Sequence, residues 1–301
     1  NLNAATSLAT KDADGNITFG TTDGKPTMAT GNQTYFGTFV ARASGTIKLS
    51  GCYTDMDAHF DVWQFGNDNG TAVRGGGLIG APNAFEIKDS AFAGNIQVVS
   101  EKEKPYTLTF DLQDKDGTVI QTGYTYTFYS DGQTQQIGGI WAFDWGSNTT
   151  MHKVTNTYCT PGVMSGTTWQ SVLGCGSNGY WNISNLYTSV AISGLTDAKK
   201  YVNDAGELTN TVTTIQANGE QIAAKFVELG FVSCGANTLP IPATIAAGRT
   251  DLSDFAKSYV AEAAISTPAQ LMNPASVLPT YARGVKASTV YLDRDIDLAG
   301  V

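Results

Sequence analysis

The sequence predicts a mainly β protein, with a β-sandwich or jelly-roll N-terminal domain and a smaller α+β C-terminal region. Three observations predict this class: the composition, strands of period two, and Asp-Gly turn signals between those strands. The chain has 33 glycines and 13 tyrosines but only two histidines and 15% charged residues. Tyrosine and threonine suit a half-buried pleated surface, and glycine and asparagine supply its turns.

The strand signals are concentrated in the first 185 residues. Tyr106, Leu108 and Phe110 alternate with polar residues, which is typical of a half-buried strand. Asp116-Gly117 predicts a hairpin turn toward a second such strand at 124–128. Further strands are predicted at 35–41, 45–50 and 60–65, with a reversal at 44–45 and a hairpin around 14–16. Many short strands without helical periodicity favour a β-sandwich or jelly roll over residues 1–185.

The pattern changes in residues 186–301, which we interpret as a smaller α+β domain that ends in a strand. Apolar residues recur at helical spacing over 220–229, and Gly230 is placed to end that helix. Short helices are predicted at 196–203, after Thr250 and at Thr267-Pro268. The last strand is predicted at 285–292. No internal repeat at a fixed period is visible.

Charge and hydropathy exclude several partners and indicate a location. The net charge of −9 disfavours nucleic acid and anionic membranes, because phosphate attraction needs patches of Lys and Arg. No apolar run approaches the roughly 20 residues of a membrane helix. The chain starts at Asn1 rather than Met, which fits removal of a leader. We expect an extracellular, cell-surface or virion location.

The four cysteines are candidates for disulfide bonds. Cys52, Cys159, Cys175 and Cys234 are even in number and widely spaced, without the C-x-x-C pair of a typical metal site. A bond between Cys159 and Cys175 would close a loop rich in Gly, Ser and Thr. The alternative is that all four are buried free thiols.

An acidic stretch is the densest candidate metal site. In an extended strand Asp55, Asp57, His59 and Asp61 share one face, and three carboxylates this close repel one another unless they are solvated or neutralised. Oxygen ligands of this kind favour calcium, so calcium is the one candidate cofactor. The alternative is a strand with a wet polar face and a dry apolar face, and this explains the pattern without an ion.

Aromatic residues form the best candidate binding surface for a ligand. Trp141, Phe143 and Trp145 alternate on one face of a predicted strand, and Tyr180 and Trp181 follow. If these rings are exposed, they form a platform on which sugars stack. If they are buried, they belong to the protein core, which is the commoner fate of large rings.

These observations favour a non-enzymatic function. The sequence shows no nucleophile elbow, and neither histidine lies near an obvious nucleophile. Two G-x-G-x-x-G matches, at 75–80 and 174–179, lack the βαβ context of a nucleotide site. We therefore expect an exterior structural protein, such as a virion, tail, pilus-like or surface-layer subunit, that self-assembles through β-edges.

The partners expected from this function are copies of the chain itself or other surface or virion subunits. The strand at 284–292 is the expected donor for pairing with a neighbouring edge. The alternative function is an adhesin or receptor-binding module that recognises cell-surface glycans through the aromatic residues.

Overall fold

The computed structural model describes residues 4–6, 9–21, 24–28, 34–63, 65, 71–132, 134–142, 149–160, 164–165, 169–171, 179–189, 200–209, 214–255, 257–259, 262–272, 289–292 and 294–296. Within the described part of the chain, strands account for 55% of the residues and helices for 11%, so the predicted mainly-β class is confirmed. The chain divides into two compact units, one of residues 1–34, 60–73 and 98–135 and the other of residues 35–59, 74–97 and 136–301. The boundary predicted between residues 185 and 186 lies inside a strand, and that division into domains stays a prediction.

The secondary structure of the described residues is as follows. The strands up to residue 100 are β1 (Ala4–Thr6), β2 (Ala9–Lys11), β3 (Ile17–Phe19), β4 (Thr27–Met28), β5 (Thr34–Gly37), β6 (Val40–Ser50), β7 (Tyr53–Thr54), β8 (Asp57–Val62), β9 (Thr71–Gly76), β10 (Ile79–Phe92) and β11 (Asn95–Ser100). The later strands are β12 (Lys102–Gln113), β13 (Val119–Asp131), β14 (Thr134–Gly138), β15 (Met151–Cys159), β16 (Met164–Ser165), β17 (Trp169–Ser171), β18 (Tyr180–Thr188), β19 (Lys200–Tyr201), β20 (Thr214–Gln216), β21 (Glu262–Ile265) and β22 (Thr289–Leu292). The helices are α1 (Gly219–Glu228), α2 (Ala243–Ala246), α3 (Leu252–Phe255) and α4 (Pro268–Met272).

The first unit contains the hairpins that the sequence predicts. Strands β12 and β13 pair antiparallel, and Gly117 has the positive φ of 83° that its turn requires. Strands β2 and β3 form the smaller hairpin around Gly15. On the long hairpin the rings of Phe110, Tyr124 and Phe128 pack on one another, while threonine hydroxyls pair across the strands. This division of apolar and polar faces is the outcome expected from alternation at period two.

The second unit is built from parallel sheets. Its largest sheet has the order β19-β18-β15-β10-β6, with β7 on β10 and β20 on β18, and all these pairings are parallel. Two smaller sheets have the orders β17-β14-β9-β5 and β16-β11-β8. Strands β9, β10 and β11 belong to the four-stranded sheet, the largest sheet and the three-stranded sheet, in that order. Strands β14, β15 and β16 pass through the same three sheets in the same order. This is the strand order of a parallel β-solenoid, whose successive coils stack on one another.

The predicted β-sandwich or jelly roll is therefore not confirmed, because those folds are antiparallel and the long strands of this unit pair in parallel. The reversal predicted at Ser44-Gly45 is wrong, since β6 continues through both residues. Parallel neighbours need a long connection, so no hairpin turn separates β6 from its partner β10.

Each coil of the large sheet bends at one corner residue. Gly51, Asp89, Asn156 and Asn185 occupy equivalent positions in the register, and their φ angles are 64°, 48°, 45° and 49°. Asparagine, aspartate and glycine tolerate this left-handed region best. The Asn156 amide donates to the Asp89 carboxylate at 2.9 Å, and the Asn185 amide donates to the Asn156 side-chain oxygen at 2.9 Å. The corners therefore join successive coils by side-chain hydrogen bonds.

The large sheet is buried on its inner face and partly covered on its outer face. Phe85, Ile87 and Val154 are buried on the inner face. Beyond the corners, Tyr158 and Tyr187 pack against Phe226 of α1 at ring-centroid distances of 4.9 and 5.5 Å. Burial on both faces is typical of parallel sheets and explains why β10 is buried along most of its length.

Helix α1 confirms the helix predicted at 220–229. Its start is fixed by a capping box. The Asn218 side-chain oxygen accepts from the backbone N–H of Gln221, and the Gln221 side-chain oxygen accepts from the backbone N–H of Asn218. Ile222 and Phe226 are buried on its inner face, and Gly230 has a φ of 93° just beyond its end. The helix predicted at 196–203 is not formed at 200–201, which are strand β19, and 196–199 lie outside the described residues.

Candidate functional site

The outer face of the large sheet carries a line of alternating charge before the corners. Lys48, Glu86 and Lys153 are neighbours in the register, and Asn182 is the next residue in the same line. Lys48 Nζ lies 3.1 Å from Glu86 Oε2, and Lys153 Nζ lies 3.9 Å from Asp204 Oδ1. The Asn182 amide donates to the same Asp204 oxygen at 3.1 Å. We call Lys48, Glu86, Lys153 and Asp204 the charge ladder.

The charge ladder contributes little to the stability of one chain. The side chains of Lys48 and Glu86 are 75% and 43% exposed, and those of Lys153 and Asp204 are 42% and 84% exposed. Exposed ion pairs of this kind contribute about 1 kcal/mol or less. The ladder does, however, distinguish one register from another, because a one-residue slip would remove each charge from its partner and move it to the opposite face.

The charge ladder starts at an open edge of the large sheet. At this end, no strand in the described ranges pairs with the outer edges of β6 and β7. At the other end, the outer side of β19 is occupied within the chain, because the Thr209 N–H donates to the Tyr201 carbonyl at 2.9 Å and Val202 forms a bridge with Leu208. Strand β20 has no further partner strand within those ranges, and its Ile215 is 38% exposed.

Three residues of the charge ladder, Lys48, Glu86 and Lys153, belong to a five-residue motif that occurs four times. The motif is Ile-Lys-Leu-Ser-Gly at 47–51, Phe-Glu-Ile-Lys-Asp at 85–89, His-Lys-Val-Thr-Asn at 152–156 and Trp-Asn-Ile-Ser-Asn at 181–185. Each copy ends at a corner residue of positive φ. The spacing of the copies is uneven because the hairpin β12–β13 lies between the second and the third. The repeat therefore has no fixed period in the sequence.

The aromatic residues predicted to bind glycans are divided between the core and undescribed segments. Trp141 and Trp181 are 0% and 1% exposed and stack on each other at 4.7 Å, with Phe85 against both. A ring buried in this way cannot stack on a sugar, so these two residues are removed from the predicted site. Tyr180 is partly exposed. Phe143 and Trp145 lie outside the described residues.

Two of the three acidic residues predicted to bind calcium have protein partners. The carboxylate of Asp57 accepts from the backbone and the side chain of Asn95, and it lies 4.0 Å from Lys257 Nζ. Asp61 pairs with Lys104, while Asp55 is exposed. The described part of the chain contains no group of three or more metal-binding side chains. Lysines thus neutralise two of the three carboxylates, and the calcium site stays a prediction.

The predicted disulfide bonds are not formed at the three described cysteines. Cys52, Cys159 and Cys234 are free thiols, and Cys175 lies outside the described residues. Cys52 Sγ donates to the Ser50 carbonyl at 3.7 Å, in the same way that the Ser90 and Thr157 hydroxyls donate to the carbonyls two residues before them. The Cys52 thiol therefore provides a hydrogen-bond donor for the Ser50 carbonyl, next to the corner residue Gly51. Cys159 is fully buried, and its burial raises the pKa of the thiol.

The C-terminal strand predicted as the donor for assembly is paired within the chain. Strand β22 forms a parallel pair with β21, from Glu262↔Thr289 to Ile265↔Leu292. Residues 284–288 lie outside the described residues. One edge of the predicted donor is thus already used, so the open edge of β6–β7 is a better candidate for assembly.

The glycine-rich stretch at 75–80 serves close packing between coils. A β-carbon on Gly76 would collide with the backbone of Ile79 and Trp141, and one on Gly77 would collide with the Gly139 carbonyl and the Phe92 ring. These glycines allow the backbone to approach closely, which is their role at corners of this kind. The match at 174–179 lies mostly outside the described residues.

Comparisons of the chain with protein-family models, with curated proteins and with solved structures found no match. None of the helices in the described ranges is long and apolar enough to cross a membrane. The fold and the site define a mainly β chain. It has a stacked parallel sheet, an open edge at β6–β7 and an outer ladder of alternating charge.

Tyr201 of β19 gives a prediction for alkaline pH. Desolvation by burial raises the pKa of its phenol to about 12, above the ordinary value of 10. The folded chain therefore holds this proton more tightly than the unfolded chain. The resulting contribution to stability is complete below pH 10 and is lost as the pH rises from 10 to about 12.

We expect Tyr201→Phe to reduce the loss of unfolding free energy over this alkaline range, measured by urea denaturation at several pH values. Tyr129→Phe is the control, because Tyr129 is 61% exposed. Equal alkaline slopes for wild type and Tyr201→Phe would show that Tyr201 ionises alike in the folded and unfolded chain.

Proposed function

We propose that this chain is a non-enzymatic structural subunit of an exterior assembly, such as a virion, tail, pilus-like filament or surface layer. The observation that carries the proposal is the open edge that β6 and β7 form on the large parallel sheet. Unpaired backbone N–H and C=O groups at such edges are templates for another chain. The edge formed by β6 is 11 residues long, and seven of its residues are exposed.

The composition supports the same proposal. The chain is acidic, poor in histidine and lysine, and rich in turn residues. The part-buried hydrogen bonds that link Asp89, Asn156 and Asn185 join successive coils of the fold and so have a structural role. The proposed location is extracellular, at a cell surface or on a virion, and the proposed partners are copies of the chain or other subunits of the same exterior structure.

The test is the mass of the purified chain as a function of concentration, by size-exclusion chromatography with light scattering and by negative-stain electron microscopy. We expect masses above the 31.8 kDa of one chain, which increase with concentration, and fibres or sheets in the micrographs. A single species of 31.8 kDa at every concentration would contradict the proposal. The measurements are made with calcium and with chelator, because the predicted site at Asp55, Asp57 and Asp61 would make assembly depend on calcium.

A matched pair of variants tests whether assembly uses the β6 edge. Thr46 is exposed on β6, and a lysine there places a strongly hydrated charge at the edge. We expect Thr46→Lys to shift the concentration for assembly at least tenfold upward while the melting temperature stays within a few degrees. Ser253→Lys, on the exposed surface of α3, is the control and should assemble as wild type.

A further inference from the structure

We infer that the first unit contains a binding site for a neutral sugar, in a groove between its two hairpins. The groove has a volume of about 420 Å³ and lies between the β2–β3 hairpin and the turn that joins β12 to β13. Pockets for small ligands usually measure about 300–1,000 Å³, so this volume is sufficient for a sugar ring. The site consists of other residues than the aromatic set that the sequence predicts to bind glycans, and it is independent of the proposed assembly.

The floor of the groove is apolar and fixed in place. Ala9 and Phe19 line it and are 3% and 6% exposed. Both belong to a buried cluster with Leu112 of β12, and the ring centroid of Phe19 lies 5.9 Å from that of Tyr124 on β13. Because side chains of both hairpins pack in this cluster, the groove exists before a ligand binds, and a ligand loses little affinity to the ordering of the site.

The rim of the groove combines apolar carbon with a small number of polar groups. Thr10 and Thr18 each carry a hydroxyl and a methyl group, and Lys115 carries an ammonium group on an aliphatic stem. Asp114 supplies a carboxylate, of which Oδ1 accepts from two backbone N–H groups of its own turn at 2.9 Å. Within the described part of the chain, Oδ2 of Asp114 accepts no hydrogen bond, so it is the acceptor that remains for a ligand.

The charges at the rim disfavour anions. The Lys115 ammonium lies 3.2 Å from the Asp116 carboxylate, so these two charges compensate each other. The carboxylate of Asp114 then leaves the rim with a net negative charge, which repels a phosphate or a carboxylate. A ligand without hydrogen-bond donors is disfavoured as well, because it would leave the Asp114 carboxylate desolvated and unpaired.

A neutral sugar ring meets each of these conditions. Its CH groups pack on the apolar floor, and its hydroxyls both donate and accept. One hydroxyl donates to Asp114 Oδ2 while another accepts from the Lys115 ammonium. Both of these hydrogen bonds involve a charged group of the protein, and such bonds are stronger than those between neutral groups. An apolar wall with a few convergent polar groups is the usual composition of a small-ligand site.

The test is the binding of four neutral methyl glycosides, those of glucose, galactose, mannose and N-acetylglucosamine, measured by saturation-transfer difference NMR. We expect at least one of them to bind the wild-type chain with a Kd on the order of 1 mM, as is usual for a ligand of about a dozen non-hydrogen atoms.

Two variants locate the binding in the groove. Asp114→Asn keeps an oxygen for the backbone N–H groups of the turn but replaces the acceptor offered to the ligand with an NH₂ donor. We expect it to weaken binding at least fivefold. Gly20→Leu adds a side chain to a residue that lines the groove, at a position where an added β-carbon meets no atom within 4 Å. We expect it to fill part of the groove and to abolish detectable binding.

The chain offers a matched control for each variant. Asp12 has the same role in the β2–β3 turn as Asp114 has in its own, since its carboxylate accepts from the backbone N–H groups of Asp14 and Asn16, but it does not line the groove. Gly45 of β6 also has no atom within 4 Å of an added β-carbon. Asp12→Asn and Gly45→Leu should bind the glycoside with wild-type affinity, and melting temperatures confirm that every variant is folded.

Four outcomes overturn the inference. They are no saturation transfer to any of the four glycosides, unchanged affinity in both groove variants, an equal loss of affinity in Asp12→Asn and Asp114→Asn, and binding of hexylammonium chloride in the groove in place of every glycoside. The last outcome would identify a cationic ligand. None of the four bears on the proposed function, because they record sugar binding and not the mass of the assembly, so the two failures are distinguishable.

Discussion

Replacing Trp181 with alanine is expected to lower the free energy of unfolding by about 3–5 kcal/mol. The ring is 1% exposed and lies 4.7 Å from Trp141 and 4.6 Å from His152 between ring centroids. Its removal loses the burial of a large apolar surface and leaves a cavity that the stacked coils cannot fill. Denaturant unfolding followed by far-UV circular dichroism measures the change without using tryptophan fluorescence.

The neighbouring residue supplies the control for this experiment. Tyr180 is partly exposed and precedes Trp181 on the same strand, with its side chain on the other face. Tyr180→Ala should therefore cost much less than Trp181→Ala. A cost below about 1 kcal/mol for Trp181→Ala would place the ring outside the core and return it to the predicted glycan site.

Replacing Gly77 with alanine is expected to destabilise the chain by about 3 kcal/mol, which is at the upper end of the usual cost of overpacking. A β-carbon at this position would meet the Gly139 carbonyl oxygen and the Phe92 ring. Phe92 is 1% exposed, so its ring has no free space into which to move. The backbone amide of Gly77 also donates to the Gly138 carbonyl at 3.0 Å, and the shift needed to relieve the collision would lengthen this bond.

Gly45→Ala is the matched control for Gly77→Ala. Gly45 lies on β6, a β-carbon added to it would meet no atom within 4 Å, and its φ is not positive. Alanine there should be neutral or should stabilise the chain by up to about 1 kcal/mol, because glycine loses more backbone entropy on folding. Melting temperatures of the two variants provide the comparison. Equal melting temperatures would show that the coils do not pack closely at Gly77.

Local features of the chain were predictable from neighbouring residues. The hairpin β12–β13 follows from alternation at period two and from the glycine at its turn, both of which act over a few residues. Helix α1 likewise follows from apolar spacing and from Gly230 beyond its end. The Asn218–Gln221 capping box could also have been predicted, because both residues are visible in the sequence at the required spacing.

The candidate site was not predictable to the same degree. Lys48, Glu86 and Lys153 are distant along the chain, and each is an ordinary polar residue on a strand. Their recurrence after an apolar residue and before a Gly, Asp or Asn corner is the one signal that could have identified them. That signal is weak because the hairpin interrupts the spacing of the motif.

The sequence by itself determined the mainly β class, the hairpins and helix α1, because each depends on contacts within a few residues. Only the tertiary structure decided that the long strands pair in parallel, that Trp141 and Trp181 are buried, and that the Cys52 thiol is free and donates to the Ser50 carbonyl. Period-two alternation is the same for a strand in a parallel or an antiparallel sheet, so it does not specify the partner strand. The partner of β10 is chosen by inner-face packing and by hydrogen bonds between corners such as Asp89 and Asn156, which form only when the coils stack.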